Sequence, residues 1–391
     1  MGKTMLRGFQ LASALALAAL AGCTTLGTPQ SREFVMESAW VRPTTKSEFL
    51  GFRRMNRMSP LINDNLVIQA NAIDGIMAFD RKSGAQVWRL DVENGVEGGA
   101  QVAAGRLYFG GSDGQFYAAD PATGKVIWKI PVRAETLAPP TVDGGVVYFQ
   151  SGADVLYALD AETGKQLWLY NRQVTTNLSI RATTRPVVAG ETVLAGFSDG
   201  YIVAVRKRDG GLLWERKLGK GNRFRDVDTT PVIDGQTAYV ASFDAALYAL
   251  NVETGEVNWS VEEGGYVPVT LGRDTRADRL YYATAGGKLM TLDKASGKQL
   301  QAIQLAKGIA TQPTLYKNFL IYGESEGSLV VADPETLQPI GHFAPGHGLV
   351  SRPVIADTGD AYFISNGANL YAVRMAYENT ATQLPWQRKK Q

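Results

Sequence analysis

One cysteine and two histidines among 391 residues leave little room for thiol or imidazole chemistry. With Cys23 alone, no disulfide can form within the chain and no cysteine cluster can ligate a metal. His342 and His347 have no cysteine or carboxylate cluster beside them, a weak metal pair that reads as surface or turn residues. No Cys-x-x-Cys-His, Gly-x-Ser-x-Gly or phosphate-cradling glycine loop occurs, and Gly98-Gly99 and Gly110-Gly111 read as turn glycines. Apolar runs stop well short of the roughly 20 residues that span a bilayer. Long windows with apolar residues at helical spacing are missing beyond the N-terminus, which excludes helical solenoids. Charge is balanced as well, with 40 basic against 38 acidic residues, and excludes nucleic acid as the expected partner.

The N-terminus has the order of a secretory signal. Lys3 and Arg7 precede an apolar stretch over residues 9–20, closed by Leu20-Ala21-Gly22-Cys23. Cys23 stands where a lipobox requires its cysteine, so residues 1–22 are expected to be a lipoprotein signal peptide and Cys23 the diacylglyceryl attachment site. The alternative is an ordinary small-residue cleavage site with a coincidental cysteine. Cleavage removes Lys3 and Arg7 and leaves 38 basic against 38 acidic residues, with no thiol for an oxidising periplasm to pair. Residues 23–33, rich in Thr, Gly, Pro, Ser and Gln, read as a flexible lipidated tether. Residues 378–391 read as a tail, with a solvated basic end at Arg388-Lys389-Lys390.

Between these ends one pattern recurs. An apolar run, a turn ending in Gly and a tryptophan four residues on appear most clearly in Leu159-Asp160-Ala161-Glu162-Thr163-Gly164-Lys165-Gln166-Leu167-Trp168, and again at Gly124/Trp128. Gly84/Trp88, Gly210/Trp214 and Gly255/Trp259 are weaker copies, and Gly297/Gln301 and Leu337/Gly341 keep the frame without the indole. Turn positions recur every 40–46 residues, as 84, 124, 164, 210, 255, 297 and 337. A period of this length marks one supersecondary unit repeated around a ring or along an array.

Each period holds four short β-prone runs. In the fifth unit these are Thr230-Pro231-Val232-Ile233, Thr237-Ala238-Tyr239-Val240, Ala246-Leu247-Tyr248-Ala249-Leu250 and Glu256-Val257-Asn258-Trp259. Four antiparallel strands in about forty residues make a propeller blade. An eighth unit supplies three strands through Pro353-Val354-Ile355, Ala361-Tyr362-Phe363-Ile364 and Leu370-Tyr371-Ala372-Val373. Its missing outer strand and indole are expected from residues 34–41, which carry Trp40, because pairing the two chain ends removes exposed edges. The expectation is an all-β, eight-bladed propeller over residues 34–377. In it Gly supplies the turn with φ > 0, Asp or Asn bonds the turn backbone, and Trp40, Trp88, Trp128, Trp168, Trp214 and Trp259 pack between blades. Those aspartates are not metal ligands on this reading, since Arg206, Asn251 and Arg374 replace them in three units.

The connections between units are less uniform. From the motif position to the next strand-starting residue they take 12 residues at Trp88→Ala100, Trp128→Pro140, Gln301→Pro313 and Gly341→Pro353. They lengthen to 18 at Trp168→Pro186 and 17 at Trp214→Pro231. All outer-to-inner connections emerge on one face of a propeller, so the two long ones are neighbours, and lengthened surface loops commonly carry function. The first contains Leu178, Ile180 and Arg181; the second contains Asp226 and Asp228. Two readings are open: an exposed partner site, or aliphatic residues tucked beneath the loop with the aspartates paired internally to Arg181 or Arg225.

The Ala-x-Asp-x-x-Thr-Gly-Lys-x-x-Trp pattern resembles the tryptophan-docking repeat of pyrroloquinoline-quinone propellers, whose cofactor usually sits against a disulfide between adjacent cysteines. That disulfide has no counterpart here. The lipobox, the eight units and the two long connections together resemble the BamB family of lipoproteins, over essentially the whole chain. The resemblance implies a non-enzymatic scaffold without a cofactor, lipid-anchored at Cys23 on the periplasmic face of the outer membrane; Thr24 after the cysteine resembles outer-membrane sorting. It also implies docking on the POTRA domains of BamA within the BAM complex and delivery of unfolded outer-membrane proteins. The family's Leu-Ser-Leu-Arg and Asp-Val-Asp runs match Leu178, Ile180, Arg181, Asp226 and Asp228 as partner-binding residues, with Ile180 in place of Leu. The alternatives are a degenerate quinone-dependent dehydrogenase and a periplasmic propeller that binds another protein or a glycan.

Overall fold

A computed structural model describes residues 32–46, 55–132, 134–172, 184–221, 226–227 and 229–379. Eight four-stranded antiparallel sheets form the blades. The third is typical: Thr141–Asp143, Val146–Ser151, Val155–Asp160 and Gln166–Asn171 run in order from the inner to the outer edge. In the eighth, Val354–Ile355, Ala361–Ile364 and Asn369–Asn379 are completed on the outside by the first strand of the chain, Arg32–Pro43. The ring occupies residues 36–375; residues 1–35 and 376–391 form a second, small unit, of which strand residues 32–35 and 376–379 are described.

Burial follows from position in the blade. The second and third strands of the third blade are buried along nearly their whole length, because a neighbouring blade covers each face of the sheet. They accordingly read as apolar runs, VVYFQS and VLYALD. Aromatic rings interlock across the blade boundaries, with Phe116 and Phe149 stacked at 3.9 Å between centroids. Outer strands show much more polar surface, and Trp168 is the one fully buried residue of the third.

Each of the six described tryptophans docks on the blade that follows it. The Trp88 indole Nε1–H donates to Pro121 O at 3.0 Å, and Trp40, Trp168 and Trp214 donate likewise to Arg81 O, Lys207 O and Val252 O at 3.1, 2.9 and 3.0 Å. Trp128 and Trp259 reach Ala161 O and Lys294 O at 3.3 and 3.2 Å. Every one of these carbonyls lies three residues before the turn glycine, so the indole face lands on that glycine. A β-carbon on Gly84, Gly124, Gly164, Gly210, Gly255 or Gly297 would lie 2.5–2.8 Å from the indole. Those glycines also have φ of 69–72°, the left-handed region.

Inside each turn the expected polar cap is present. Asp120 Oδ1 accepts from the N–H groups of Ala122 and Thr123 at 2.9 and 2.8 Å and from the Thr123 hydroxyl at 2.9 Å. These bonds, led by the hydroxyl, hold the Asp120 carboxyl below its ordinary range, and Thr163 does the same for Asp160. Asn251 keeps the two backbone bonds at 2.9 and 3.0 Å.

The seventh junction tests which constraint requires glycine. Gln301 replaces the tryptophan, and Leu337 takes the glycine position at φ 61°, fully buried. Leucine therefore occupies the left-handed turn once no indole covers it. Substituting Trp168→Ala is expected to destabilise the protein by about 3–5 kcal/mol in chemical denaturation, because the cavity opens between two blades that cannot close separately. A loss under about 1 kcal/mol would show that the ring does not depend on this contact.

Candidate functional site

One face of the ring is built from the outer-to-inner connections and from the turns joining second to third strands. A recurring backbone bond ties them together. Ser112 N donates to Gly95 O at 2.9 Å, Gly152 N to Glu135 O at 2.8 Å, Phe243 N to Asp226 O at 3.2 Å and Asn366 N to Gly348 O at 2.9 Å. In each case the accepting residue stands five positions before the residue that starts the next blade, namely Ala100, Pro140, Pro231 and Pro353.

Asp226 therefore belongs to the frame. It is 1% exposed, held between the turns of the fourth and fifth blades by its own carbonyl and by Val227 N–H, which donates to Phe197 O at 3.2 Å. The expectation that Asp226 is an exposed acceptor for a partner is corrected: counting back from Pro231, instead of forward from Trp214, places it at the bonded position. The additional residues of this connection lie upstream of it.

In the fourth blade the equivalent turn residue, Ser198, bonds a side chain of the third blade's own turn. Ser198 N donates to Asp154 Oδ1 at 3.2 Å and the Ser198 hydroxyl to Oδ2 at 2.5 Å. Burial pushes the Asp154 carboxyl up, against those hydrogen bonds, and the like charges of Asp199 and Asp226 add to the shift. Arg172, where the first long connection leaves the outer strand, is clamped beside that cluster. Its Nε is 2.6 Å from Asp199 Oδ2, its Nη1 is 2.7 Å from Glu215 Oε2, and its guanidinium lies 4.4 Å from the Tyr201 ring centroid.

The two connections meet at their inner ends. The Thr184 hydroxyl, fully buried, lies 2.8 Å from Val227 O and 3.1 Å from Gly196 O and donates to one of them at a time. Thr184 N donates to Gln150 Oε1 at 3.2 Å, and Gln150 Nε2 to Gly196 O at 2.9 Å. The outgoing end of the second connection is fixed too, by Leu218 N to Gly200 O at 2.8 Å and Gly221 N to Asp244 Oδ2 at 2.5 Å.

Leu178, Ile180, Arg181 and Asp228 lie outside the described residues, as does Cys23. The structure thus places the roots of both connections together and buries Asp226. A third long connection was missed by comparing only units that follow a complete blade: from Trp40 to Pro60 the chain takes 20 residues, of which 47–54 lie outside the described residues. Measuring the closing unit from Trp40 would have found it. His342 and His347 are exposed, and among the described residues no group of three or more His, Cys, Asp or Glu is placed to hold a metal. Among them, too, no helix is long and apolar enough to cross a membrane.

Comparison with known proteins gives consistent results. A family profile described as outer membrane protein assembly factor BamB matches residues 74–277. The outer membrane protein assembly factor BamB of Pseudomonas aeruginosa is 35% identical, over 92% of this chain and 97% of that protein. The crystal structure of BamB from Moraxella catarrhalis superposes with a TM-score of 0.73 at 20% identity, covering 87% of this chain and all of that one. A quinohemoprotein alcohol dehydrogenase from Pseudomonas putida HK5 superposes with a TM-score of 0.69 at 14% identity, over 87% of this chain and 76% of that one. Identities of 20% and 14% show a shared ring and nothing about chemistry.

Thr184→Val should remove the hydroxyl that joins the two connections and leave the buried Val227 carbonyl without that donor, while Gly196 O keeps its bond from Gln150 Nε2. Denaturant titration is expected to register a loss of about 1–3 kcal/mol; an unchanged midpoint would mean that the junction is held by other contacts.

Proposed function

The chain belongs to the BamB family of outer-membrane protein assembly factors, and from that premise we propose that it docks on the POTRA domains of BamA through the two neighbouring lengthened connections that leave its third and fourth blades. It is an assembly factor and not an enzyme, acts at the outer membrane and is a member of the BAM complex. The observation that carries the docking reading is the departure from regularity. In a ring whose standard connections take 12 residues, two successive ones are lengthened, and Thr184 and Val227 join their roots. A rigid base under added loop is the construction by which scaffolds present binding residues.

On this reading Leu178 and Ile180 supply an apolar anchor, Arg181 a forked donor for a carboxylate or carbonyl, and Asp228 an acceptor for basic or N–H groups. Asp226 supports that surface from below, since its backbone is tied into the ring. The scaffold so docked assists delivery and insertion of barrel proteins, and Cys23 anchors it by lipid to the periplasmic face of the outer membrane. A quinone-dependent dehydrogenase is not favoured by any observation.

Capture of BamA by purified variants tests the docking surface. Arg181→Glu and Asp228→Lys should each weaken capture by about thirtyfold, equivalent to about 2 kcal/mol, with folding unchanged. Undiminished capture by folded variants would sink the assignment. Asp226→Lys is unsuitable for this purpose, because a buried ammonium would disturb the ring itself.

The anchor has its own test. Cys23→Ala should leave the protein uncleaved or release a folded propeller into the soluble periplasmic fraction. Continued fractionation with the outer membrane after correct cleavage would exclude Cys23 as the anchor.

A further inference from the structure

One residue ahead of each blade's first strand, two positions before it in seven blades and one before it in the second, lines the ring axis. Six of the eight are neutral: Ser59, Gly99, Pro139, Thr230, Pro268 and Gln312; the other two are Arg185 and Arg352. Together they line an axial cavity of about 380 Å³. Arg185 opens the fourth blade and Arg352 the eighth, so the two cations enter from opposite sides of the ring.

Neither guanidinium is neutralised from within the described residues. Arg185 Nε donates to Thr141 Oγ1 at 3.0 Å and its Nη2 to Gln101 Oε1 at 2.9 Å. Arg352 repeats the arrangement, with Nε to Thr314 Oγ1 at 3.1 Å and Nη1 to Gln312 Oε1 at 3.3 Å. All four acceptors are neutral. They fix each planar fork while leaving its remaining N–H groups for another partner. A third cation, Arg57, lines the cavity but has Glu97 Oε1 at 3.6 Å, and no described carboxylate lines it. Arg273 adds positive charge in an adjoining cavity of about 350 Å³ that shares Arg352 and Gln312. Burial pushes the half-buried Arg185 guanidinium below its ordinary range, with the like charge of Arg352 contributing; Arg352, though exposed to solvent, is shifted the same way by the surrounding wall and by Arg273.

Arg185 is half-buried and Arg352 exposed within the channel, and two like charges that face one cavity without a counter-charge repel each other unless an anion joins them. We infer that the axial channel is a binding site for a small oxyanion carrying two or more negative charges, gripped between Arg185 and Arg352. Phosphoryl and carboxylate groups share the required chemistry, since each presents planar pairs of oxygens to a guanidinium fork. The neutral hydroxyl and amide groups of Ser59, Thr230 and Gln312 complete a wall that accepts such a ligand without repelling it. This site is separate from the docking loops, so it stands or falls independently of the proposed partner.

Calorimetric titration of the full-length protein in low-salt buffer free of phosphate and carboxylate tests it, with pyrophosphate and citrate as probes and chloride as the monovalent control. One or both probes should bind saturably with a Kd below about 1 mM, weaken as salt rises and raise Tm; which of the two binds tighter separates phosphoryl from carboxylate recognition. Arg185→Gln and Arg352→Gln should each weaken binding by about tenfold or more, whereas Lys165→Gln on the exposed rim should leave it unchanged. Without anion, Arg352→Gln should equal or exceed the parent in Tm, because a repulsive charge has gone. Absence of saturable binding up to about 10 mM, or undiminished binding by the folded double variant, would overturn the site. A lower Tm for Arg352→Gln without anion, accompanied by no anion effect on the parent, would show that the arginines are struts between blades.

Discussion

Each indole that lies on the next blade's glycine turns eight separate sheets into one ring. A four-stranded blade has two apolar faces and cannot bury either alone. The indole supplies a flat apolar surface for the gap and an N–H that fixes its depth, at 2.9–3.3 Å from a carbonyl three residues before the glycine. Both halves of the contact are needed. Without the N–H bond the indole could slide in the seam, and without glycine a β-carbon would overlap the ring.

The same contact also dictates the residues paired with the indole inside its own sheet. Directly across the sheet from Trp88, Trp128, Trp168, Trp214 and Trp259 stand Ala78, Ala118, Ala158, Ala204 and Ala249. Where the indole is replaced by Gln301 the opposite residue is Thr291, and where Gly341 replaces it the opposite residue is Val331. Volume is exchanged across the strand pair, small against large. A register shift follows directly after this pair in each of the seven blades, which bends the outer strand toward its neighbour. Indole, alanine, bulge and glycine therefore form one device.

That device explains why so much of the architecture is readable from sequence. Gly164 and Trp168 are separated by a fixed interval because one turn must present its glycine backward while the strand after it presents its indole forward. The blade count, the closure by the strand bearing Trp40 and the strand order all follow from the interval. Asp226 was misread because its neighbours along the chain look like loop, Arg225 before it and Asp228 after it, while the bond that buries it comes from Phe243 in the next blade. Such a partner cannot be seen in local composition. It becomes visible only by aligning the connections on their ends, where Asp226 falls level with Gly95, Glu135 and Gly348.

Regularity also gives departures their meaning. A repeat satisfied by small or neutral residues at a given position shows that the fold does not require charge there. Six axial positions are neutral, so the ring closes without arginine, and the cations at the fourth and eighth positions need an explanation outside folding. Leu337 is the opposite case: it breaks the glycine rule, but Gln301 has already removed the indole that enforced it, and the leucine is buried in the core shared by the sixth and seventh blades. Compensated departures such as Leu337 are structural. Arg185 and Arg352 carry no carboxylate compensation among the described residues, and an uncompensated pair of like charges facing one cavity is the arrangement that a ligand, and not the fold, would select.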